Sequence, residues 1–430
     1  MISNGGNLQL KQIESVKNNH NYIQKTILKN GITLIVIENP TTDIIAGRIF
    51  CRNAGSLWEA TSQAGIFHLL ASVISKGTRN LSSLEIAEKV ESIGAALGTD
   101  TSSDYFLVSM KTITEDFPEI LTLASEILRY PSFPESEIEL EKKITLQNIL
   151  SQKEQPFNLA FTQLREMIYG EHPYGFSVLG TEDTVNNLTA DDLKKCHQRH
   201  FTPDNLIISL AGKINLARSI ELVENIFGDW QQNPNETLQL KPYHLSSRSN
   251  FHKIEQDNQQ SIIMMGYLAP EITHPDYPIL KLLTTYLGNG LSSRLFVELR
   301  EKRGLAYDVS AFYPTRLDKS QFVLYMGTAS QNTEVGQEGL YNEIKRLREE
   351  KLSMEELEVA KSKLLGQYAL GKQTNAEFAQ IFGWYETLGL GIEYDDIFPQ
   401  LITNITLEDI QPVANQYLQD SSLCVSIVGK

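Results

Sequence analysis

The chain has 430 residues, of which 41% are hydrophobic and 21% are charged, and its formal net charge is -15. Because a single hydrophobic core stops growing at about 250–300 residues, this length predicts two domains. The negative charge argues against nucleic acid as a partner, since phosphate binding needs clustered Lys and Arg. The 3 cysteines are far apart and form no C-x-x-C pair, so neither a disulfide framework nor a cysteine zinc site is indicated.

The sequence carries no recognisable targeting or membrane signal. Its first 25 residues contain no apolar run of signal-peptide length, and no stretch of about 18 apolar residues follows. We therefore expect a soluble, cytoplasmic protein without a membrane partner.

The predicted elements of the first half are three strands and two helical regions. The strands are ITLIVIE, IIAGRIF and YFLVSMKT. Residues 133–150 predict a long helix opened by Pro and Ser, and residues 188–213 predict a helix, a turn and an apolar strand. Residues 229–248 are rich in Asn, Gln, Pro and Ser without apolar periodicity, which predicts a linker.

The second half repeats this order. Its strands are SIIMMGYL, AYDVSAFY and QFVLYMGT, followed by a long helix at 352–370 and a helix, turn and strand at 405–430. Residues 405–430 match residues 188–213 without a gap, at an offset of 217. The sequence therefore predicts a duplicated α+β fold, in which each domain is a mostly antiparallel sheet covered by helices on one face. The predicted domains are 20–228 and 249–430.

One segment carries a specific motif. Residues 65–78 read GIFHLLASVISKGT, which resembles the segment G-L-A-H-F-L-E-H-M-x-F-K-G-T of the pitrilysin, or insulinase, family of inverted-zincin metallopeptidases. The resemblance implies a helix whose two His bind zinc and whose Glu acts as general base. Here His68 stands at the first His, but Ala71 replaces the Glu and Ser72 replaces the second His.

The third zinc ligand implied by the resemblance is a Glu on the long helix that follows. Alignment through the Glu-rich segment 137–144 places Asn148 at this position. A neutral amide, a hydroxyl and a methyl cannot complete a zinc site, and no general base remains. We therefore expect no metal in this chain, and we interpret His68 as a core or groove histidine.

The second half keeps a different motif. Residues 291–307 read LSSRLFVELREKRGLAY, similar to S-S-R-L-F-x-E-L-R-E-x-x-G-L-A-Y in the same family. The resemblance implies that Arg300 and Tyr307 contact the substrate near its scissile carbonyl, as a guanidinium fork and an oxyanion donor. By residue type alone, Arg300 would pair with a helical Glu and Tyr307 would pack under the sheet.

Residues 95–110 match the substrate-cradle strand of the family, where a peptide adds to a sheet edge through backbone hydrogen bonds. The resemblance gives the candidate substrate-binding residues Gly98, Thr99, Asp100 and Thr101, in a segment where the usual Asn is missing. Other matches, including the one around His172, are interpreted as turns and caps. The neighbouring His197 and His200 are interpreted as surface or capping residues.

The resemblance covers about residues 25–430 and leaves several functions open. In the first, this chain is the non-metal subunit of a heterodimer, inactive alone, that pairs with an H-x-x-E-H homologue holding the zinc and cleaves extended or unfolded peptides. In the second, it is an inactive scaffold or peptide-binding subunit like the core proteins of respiratory complexes. A homodimer that binds peptides without cutting them is the third.

Overall fold

The computed structural model describes residues 22–232, 238–245 and 248–430, and it divides into two compact units. The N-terminal unit comprises Tyr22–Leu245 and Gly371–Gly391, and the C-terminal unit comprises the described residues of Ser246–Leu370 together with Ile392–Lys430. Residues 233–237 and 246–247 of the predicted linker, and residues 20–21 of the predicted first domain, lie outside the described residues. The boundaries 20–228 and 249–430 remain a prediction.

A six-stranded mixed sheet forms the centre of the N-terminal unit. Its strand order is β1-β2-β6-β3-β5-β4, and only the pair β2–β6 is parallel. The strands are β1 (Ile23–Ile27), β2 (Thr33–Glu38), β3 (Ile44–Cys51), β4 (Ala96–Thr101), β5 (Phe106–Ile113) and β6 (Leu206–Gly212). The predicted strands ITLIVIE, IIAGRIF and YFLVSMKT are confirmed as β2, β3 and β5.

Eight helices among the described residues of the first half belong to this unit. They are α1 (Ile66–Val73), α2 (Ser83–Ser92), α3 (Phe117–Arg129), α4 (Glu135–Glu154), α5 (Pro156–Tyr169), α6 (Glu182–Asn187), α7 (Ala190–His200) and α8 (Leu216–Phe227). The main core joins one face of the sheet to apolar residues of α1, α3 and α8. From the sheet it buries alternate strand residues such as Leu34, Val36, Ile45, Ile49, Ile208 and Leu210.

The C-terminal unit repeats the arrangement with five strands. Its sheet has the order β7-β11-β8-β10-β9, and only β7–β11 is parallel. The strands are β7 (Asn250–Glu255), β8 (Gln260–Ala269), β9 (Ala306–Phe312), β10 (Ser320–Ala329) and β11 (Cys424–Gly429), and the helices are α9 (Tyr277–Gly288), α10 (Thr333–Glu349), α11 (Met354–Leu370), α13 (Tyr394–Thr403) and α14 (Leu407–Tyr417). A π-helical turn spans Phe296–Glu301.

The internal repeat is confirmed at the level of single residues. Helices α7 and α14 keep the offset of 217, as do the short 3-10 turns Pro203–Asn205 and Asp420–Ser422. At the start of each helix, the backbone N–H of Thr189 or Thr406 donates to the Asp three residues later, over 2.9 and 2.8 Å. The strands that follow, β6 and β11, lie between one parallel and one antiparallel neighbour. The predicted fold class is therefore confirmed.

One helix from the second half of the sequence covers the other face of the N-terminal sheet. Helix α12 (Asn375–Thr387) packs on β3 and β6. A Cβ at Gly383 would lie 2.3 Å from the Phe50 ring, and Arg48 Nε donates to Gln380 Oε1 over 3.1 Å. The expectation of helices on one face is thus incomplete. The sequence repeat does not reveal that a helix from the second half packs on the sheet of the first half.

Among the described residues, no helix is both long and apolar enough to cross a bilayer.

Candidate functional site

A buried carboxylate fixes the start of α1. The two Glu59 oxygens accept the backbone N–H groups of Gly65 and Phe67 over 2.9 and 3.0 Å. Burial raises the pKa of Glu59 to about 7, although both N–H groups act to lower it. Gly65 has a φ of +92°, and a Cβ there would lie 2.5 Å from the carbonyl oxygen of Leu179. The start of α1 is therefore positioned by a backbone geometry that requires glycine.

The next residues of α1 are the positions aligned with the zinc motif. His68 is half-buried and Ala71 is buried. Ser72 donates its hydroxyl hydrogen to the carbonyl oxygen of His68 over 3.1 Å, so it bonds to its own helix. Burial lowers the pKa of His68, whereas the charges of Asp100 and Glu141 raise it. The imidazole is therefore mainly neutral at pH 7.

Helix α4 packs against α1 and carries the aligned third position. Asn148 is exposed, and Glu141 lies two helical turns before it on the same face. Glu141 is buried, and its Oε1 is 3.0 Å from Lys76 Nζ. The sequence reasoning missed Glu141 as part of this site. Its signal was the helical spacing of the buried positions Ile138, Glu141 and Thr145.

The side chains at these positions do not match a zinc donor set. Zinc sites in proteins use combinations of thiolate, imidazole and carboxylate in tetrahedral geometry. Here an imidazole is accompanied by a methyl, a hydroxyl bonded to its own helix and an exposed amide, while Glu141 already pairs with Lys76. Within residues 22–232, 238–245 and 248–430, no three His, Cys, Asp or Glu side chains form a group that could hold a metal ion.

The edge strand β4 lies beside α1. Thr99 Oγ1 donates to the carbonyl oxygen of Ala71 over 2.7 Å and so ties the strand to the helix. In the described sheet β4 pairs only with β5, which leaves its other edge open. Ser102 N–H bonds to Tyr105 O at the end of this hairpin. The alternation of an antiparallel ladder therefore directs the backbone groups of Thr101 and Thr99 toward the open edge.

The structure thus brings together one group of the predicted residues in the N-terminal unit. His68, Ala71 and Ser72 on α1 adjoin the strand that carries Gly98, Thr99, Asp100 and Thr101, and Asn148 lies on the neighbouring α4. The other group, Arg300 and Tyr307, belongs to the C-terminal unit.

Arg300 projects from an irregular turn. The π-helical turn is closed by a hydrogen bond of 3.0 Å from Lys302 N–H to Val297 O, five residues apart. The guanidinium carbon of Arg300 lies 4.9 Å from the centre of the Phe296 ring. Arg300 is exposed, and within the described chain it forms no ion pair or hydrogen bond through its side chain. The alternative pairing with a helical Glu is not observed there.

Tyr307 lies on a β-bulge at the start of β9. Ala306 is opposite Thr328 and Asp308 is opposite Gly327, so Tyr307 is an extra residue without a cross-strand partner. Tyr307 is 58% exposed, whereas Ala306 is buried. In a regular strand the alternation would turn one of two successive side chains inward. The bulge therefore exposes the phenol, and the alternative of a Tyr packed under the sheet is wrong.

A buried polar network supports the segment before this turn. Arg294 Nε is 2.6 Å from Glu343 Oε2, and its Nη1 donates to the Tyr286 hydroxyl over 2.9 Å. Tyr286 in turn donates to Glu356 Oε1 over 2.8 Å. The Arg294 and Glu343 side chains are only 8% and 12% exposed. This network joins α9, α10 and α11 to the start of the turn that carries Arg300.

The three other histidines considered in the sequence analysis are structural. His172 is buried, and its Nδ1 accepts the backbone N–H of Tyr174 over 3.0 Å. His197 and His200 are also buried, which corrects the interpretation of them as surface residues. His197 Nε2 is 2.7 Å from Leu128 O, and the His200 ring packs edge-on against Phe67. Both stand on the inner face of α7, which single-sequence spacing did not distinguish.

Family models account for both halves of the chain. The model described as "Insulinase (Peptidase family M16)" matches residues 34–182, and the model described as "Peptidase M16 inactive domain" matches residues 187–364. The chain belongs to the M16 peptidase family. The first match contains α1, β4 and Asn148, and the second contains Arg300 and Tyr307, so both candidate groups lie on M16 domains.

Curated relatives of similar length come from several bacteria. An "Uncharacterized zinc protease YmxG" of Bacillus subtilis is 27% identical over 412 residues, covering 94% of this chain and 98% of that protein. An "Uncharacterized zinc protease" of Rickettsia felis is 28% identical over 403 residues, covering 93% of this chain and 96% of that protein. This chain is therefore a homologue of M16 zinc proteases.

Solved structures agree on the M16 fold. A protease from Helicobacter pylori superposes with a TM-score of 0.88 at 22% identity, covering 94% of this chain and 99% of that one. A peptidase M16 inactive domain from Pseudomonas fluorescens gives a TM-score of 0.86 at 22% identity, covering 95% and 98%. Both comparisons extend over the two units described here.

Proposed function

We propose that this M16 chain is the non-metal subunit of a two-chain peptidase. It holds no zinc of its own, pairs with an M16 homologue that carries an intact H-x-x-E-H motif, and supplies Arg300 and Tyr307 to the hydrolysis of extended peptides. The observation that carries the proposal is the contrast between positions 68, 71, 72 and 148, which do not match a zinc donor set, and an Arg and a Tyr presented on the surface.

The first support is chemical. A single imidazole at His68 does not retain zinc without further ligands, and Ala71 offers no group to accept a proton from water. Glu141, a buried carboxylate whose charge acts on His68, already pairs with Lys76. Peptide hydrolysis by this family chemistry therefore needs a second chain to supply the metal and the base.

The second support is the exposure of Arg300 and Tyr307. A guanidinium presents five donors in a rigid fork, and a phenol can donate to an oxyanion that develops in the transition state. Apart from the contact of Arg300 with the Phe296 ring, neither side chain forms a hydrogen bond or ion pair within the described chain, so their exposure contributes little to folding. Their placement suits contact with a ligand.

The third support is the open edge of β4. An extended peptide can add to such an edge through main-chain hydrogen bonds, with affinity that depends little on its sequence. Thr99 and Thr101 direct their backbone groups to this edge, where the Thr101 N–H bonds to Asp100 Oδ1 over 2.8 Å, and the neighbouring Gly98 carries no side chain. The edge suits extended or unfolded substrates.

The test is reconstitution with an M16 homologue that carries an intact H-x-x-E-H motif. Neither chain alone is expected to cleave a quenched fluorescent peptide efficiently, and the mixture is expected to be active. Arg300→Ala should abolish the gain, and Tyr307→Phe should lower kcat by about a hundredfold, which is typical for loss of one oxyanion donor. Arg218→Ala and Tyr341→Phe are matched controls that should retain the activity.

Three outcomes bear on the alternatives. Cleavage by the homologue that is unaffected by this chain would contradict the proposal and favour a scaffold role. Chelator-sensitive hydrolysis that copurifies with this chain alone would contradict it more directly. Activity of the mixture that survives Arg300→Ala would remove the assigned role of the arginine.

A further inference from the structure

A polar cleft adjoins Tyr307 in the C-terminal unit. It has a volume of about 650 Å³ and lies where β8 begins, β10 ends and β11 ends. Its described lining contains no Asp or Glu, and its charged side chain, that of Lys430, pairs with Asp257. The polar lining side chains are amides and hydroxyls, namely Asn258, Gln259, Gln260, Tyr307, Ser330 and Gln331.

The register of the sheet explains the shape of this cleft. Gln260 is the first residue of β8 and is paired with Ala329, the last residue of β10. Directly opposed residues of an antiparallel pair share a face, so the small Ala329 side chain lies beside the longer Gln260. The bulge in β9 exposes Tyr307 on the far side of Ala329. The Ala329 methyl group therefore lies at the bottom of the cleft, with Gln260 on one side and Tyr307 on the other.

The rim of the cleft is fixed by hydrogen bonds of its backbone. Ser330 donates its N–H to Gln259 O over 3.1 Å and its hydroxyl to Asn258 O over 2.7 Å. The Asn258 side chain donates to Gln256 Oε1 over 2.8 Å. These bonds hold the loop in one geometry before any ligand arrives, which lowers the entropic cost of binding.

Three of the amide side chains that line the cleft form no hydrogen bond with the described chain. Within the described residues, the side chains of Gln259, Gln260 and Gln331 make no hydrogen bond, and neither does the Tyr307 phenol. Each primary amide offers one acceptor and two donor hydrogens, which is the pattern that another amide satisfies. Without a free charge, the cleft has little to attract an anion, and its polar lining favours hydrogen-bonding groups over apolar ones.

We propose that this cleft is a specificity subsite for an uncharged polar side chain, Asn, Gln, Ser or Thr, in a peptide that lies along Tyr307. The subsite rests on the proposed function in one respect, because it assigns a peptide as the ligand of Tyr307. It requires no catalysis and predicts a preference that the isolated full chain displays.

The test measures binding of labelled peptides to the full chain by fluorescence anisotropy. The probes share an Ala-based sequence, and one internal position at a time carries Gln, Leu or Asp. At one position, the Gln peptide is expected to bind roughly three- to tenfold more tightly than the Leu and Asp peptides, which corresponds to one or two hydrogen bonds. Gln260→Leu and Gln331→Leu should each reduce this preference toward unity.

Gln416→Leu is the matched control, because it removes an exposed amide on α14 that does not line the cleft. It should leave the preference intact. Equal binding of all peptides, an unchanged preference in both cleft variants, or no binding up to millimolar chain would each overturn the subsite.

The reconstitution assay separates the two proposals. A peptide preference that both cleft variants reduce, in a chain that never activates its homologue, would support the subsite and contradict the peptidase role. Activation of the homologue that depends on Arg300, together with equal binding of all peptides, would support the peptidase role and contradict the subsite.

Discussion

Individual side chains determine what the two candidate groups can do chemically. At the first group, the Ser72 hydroxyl bonds to its own helix and Glu141 pairs with Lys76, so these two oxygen-bearing side chains already have partners. At the second group, the side chains of Arg300 and Tyr307 form no hydrogen bond or ion pair within the described chain, and the Arg300 guanidinium rests only against the Phe296 ring. This difference between occupied and free polar groups supports assigning ligand contact to the second group.

Restoring two ligands should restore metal binding. Ser72 is one turn beyond His68, and Asn148 lies on the helix packed against α1, so S72H/N148E supplies two imidazoles and one carboxylate. The double variant is expected to bind about one zinc per chain in a colorimetric chelator assay. N148E alone, with two ligands, is the control and should bind none. Failure of the double variant would show that α1 and α4 do not have zinc-site geometry.

A buried histidine should make stability fall in acid. Burial lowers the pKa of His200 from 6.5 to about 4, so between these values the unfolded chain binds more protons than the folded chain. The contribution of neutral His200 to the free energy of unfolding is complete above pH 6.5. It is lost as the pH falls toward 4, at about 1.4 kcal/mol per pH unit. The free energies of unfolding of wild type and His200→Gln, measured in urea, should therefore approach each other by roughly 2 kcal/mol between pH 7 and pH 5. Parallel pH profiles would contradict this pKa shift.

At the scale of elements, function is associated with local irregularity. The π-helical turn and the β-bulge each interrupt a regular hydrogen-bond pattern and expose Arg300 or Tyr307. By contrast, α12 is regular and closely packed, since the Phe50 ring lies where a side chain at Gly383 would begin. The same chain thus uses irregular elements for presentation and regular ones for packing.

Two glycines in helices form a matched pair for testing the α12 contact. Gly383→Ala should destabilise the protein by about 1–3 kcal/mol, because its Cβ would lie 2.3 Å from the Phe50 ring. Gly366→Ala on α11 meets nothing within 4 Å and should instead stabilise by about 0.5–1 kcal/mol through helix propensity. Thermal unfolding measures both. A neutral or stabilising Gly383→Ala would show that α12 packs less closely than described.

At the scale of the whole molecule, the two sequence halves are not the two packing units. Residues 371–391 follow α11 in sequence yet belong to the N-terminal unit. They are anchored by Asn375 Nδ2, which donates to Ile44 O over 3.0 Å, and by an ion pair of 2.8 Å between Lys25 and Glu386. The N-terminal sheet therefore obtains one of its two covers from the second half.

An N-terminal fragment should be unstable without this helix. Residues 22–245 alone would expose the sheet face that α12 covers, including Phe50, whereas the same fragment joined to 371–391 by a Gly/Ser linker keeps it covered. The first fragment is expected to bind a hydrophobic dye and unfold without a cooperative transition, and the second to unfold cooperatively. Cooperative unfolding of both would mean that α12 is dispensable for this unit.

The sequence by itself determined the duplicated α+β fold, most of the central strands and the family, because these depend on local periodicity and on motifs read at fixed spacing. It also supplied the identities at positions 68, 71, 72 and 148, from which the zinc-donor argument follows. Only the tertiary structure decided the pairing of Glu141 with Lys76 and the burial of His197 and His200. It also decided the exposure of Tyr307 and the packing of α12 on the N-terminal sheet. These features depend on contacts between residues distant in sequence, and no local pattern encodes which face of a helix or strand will find a partner.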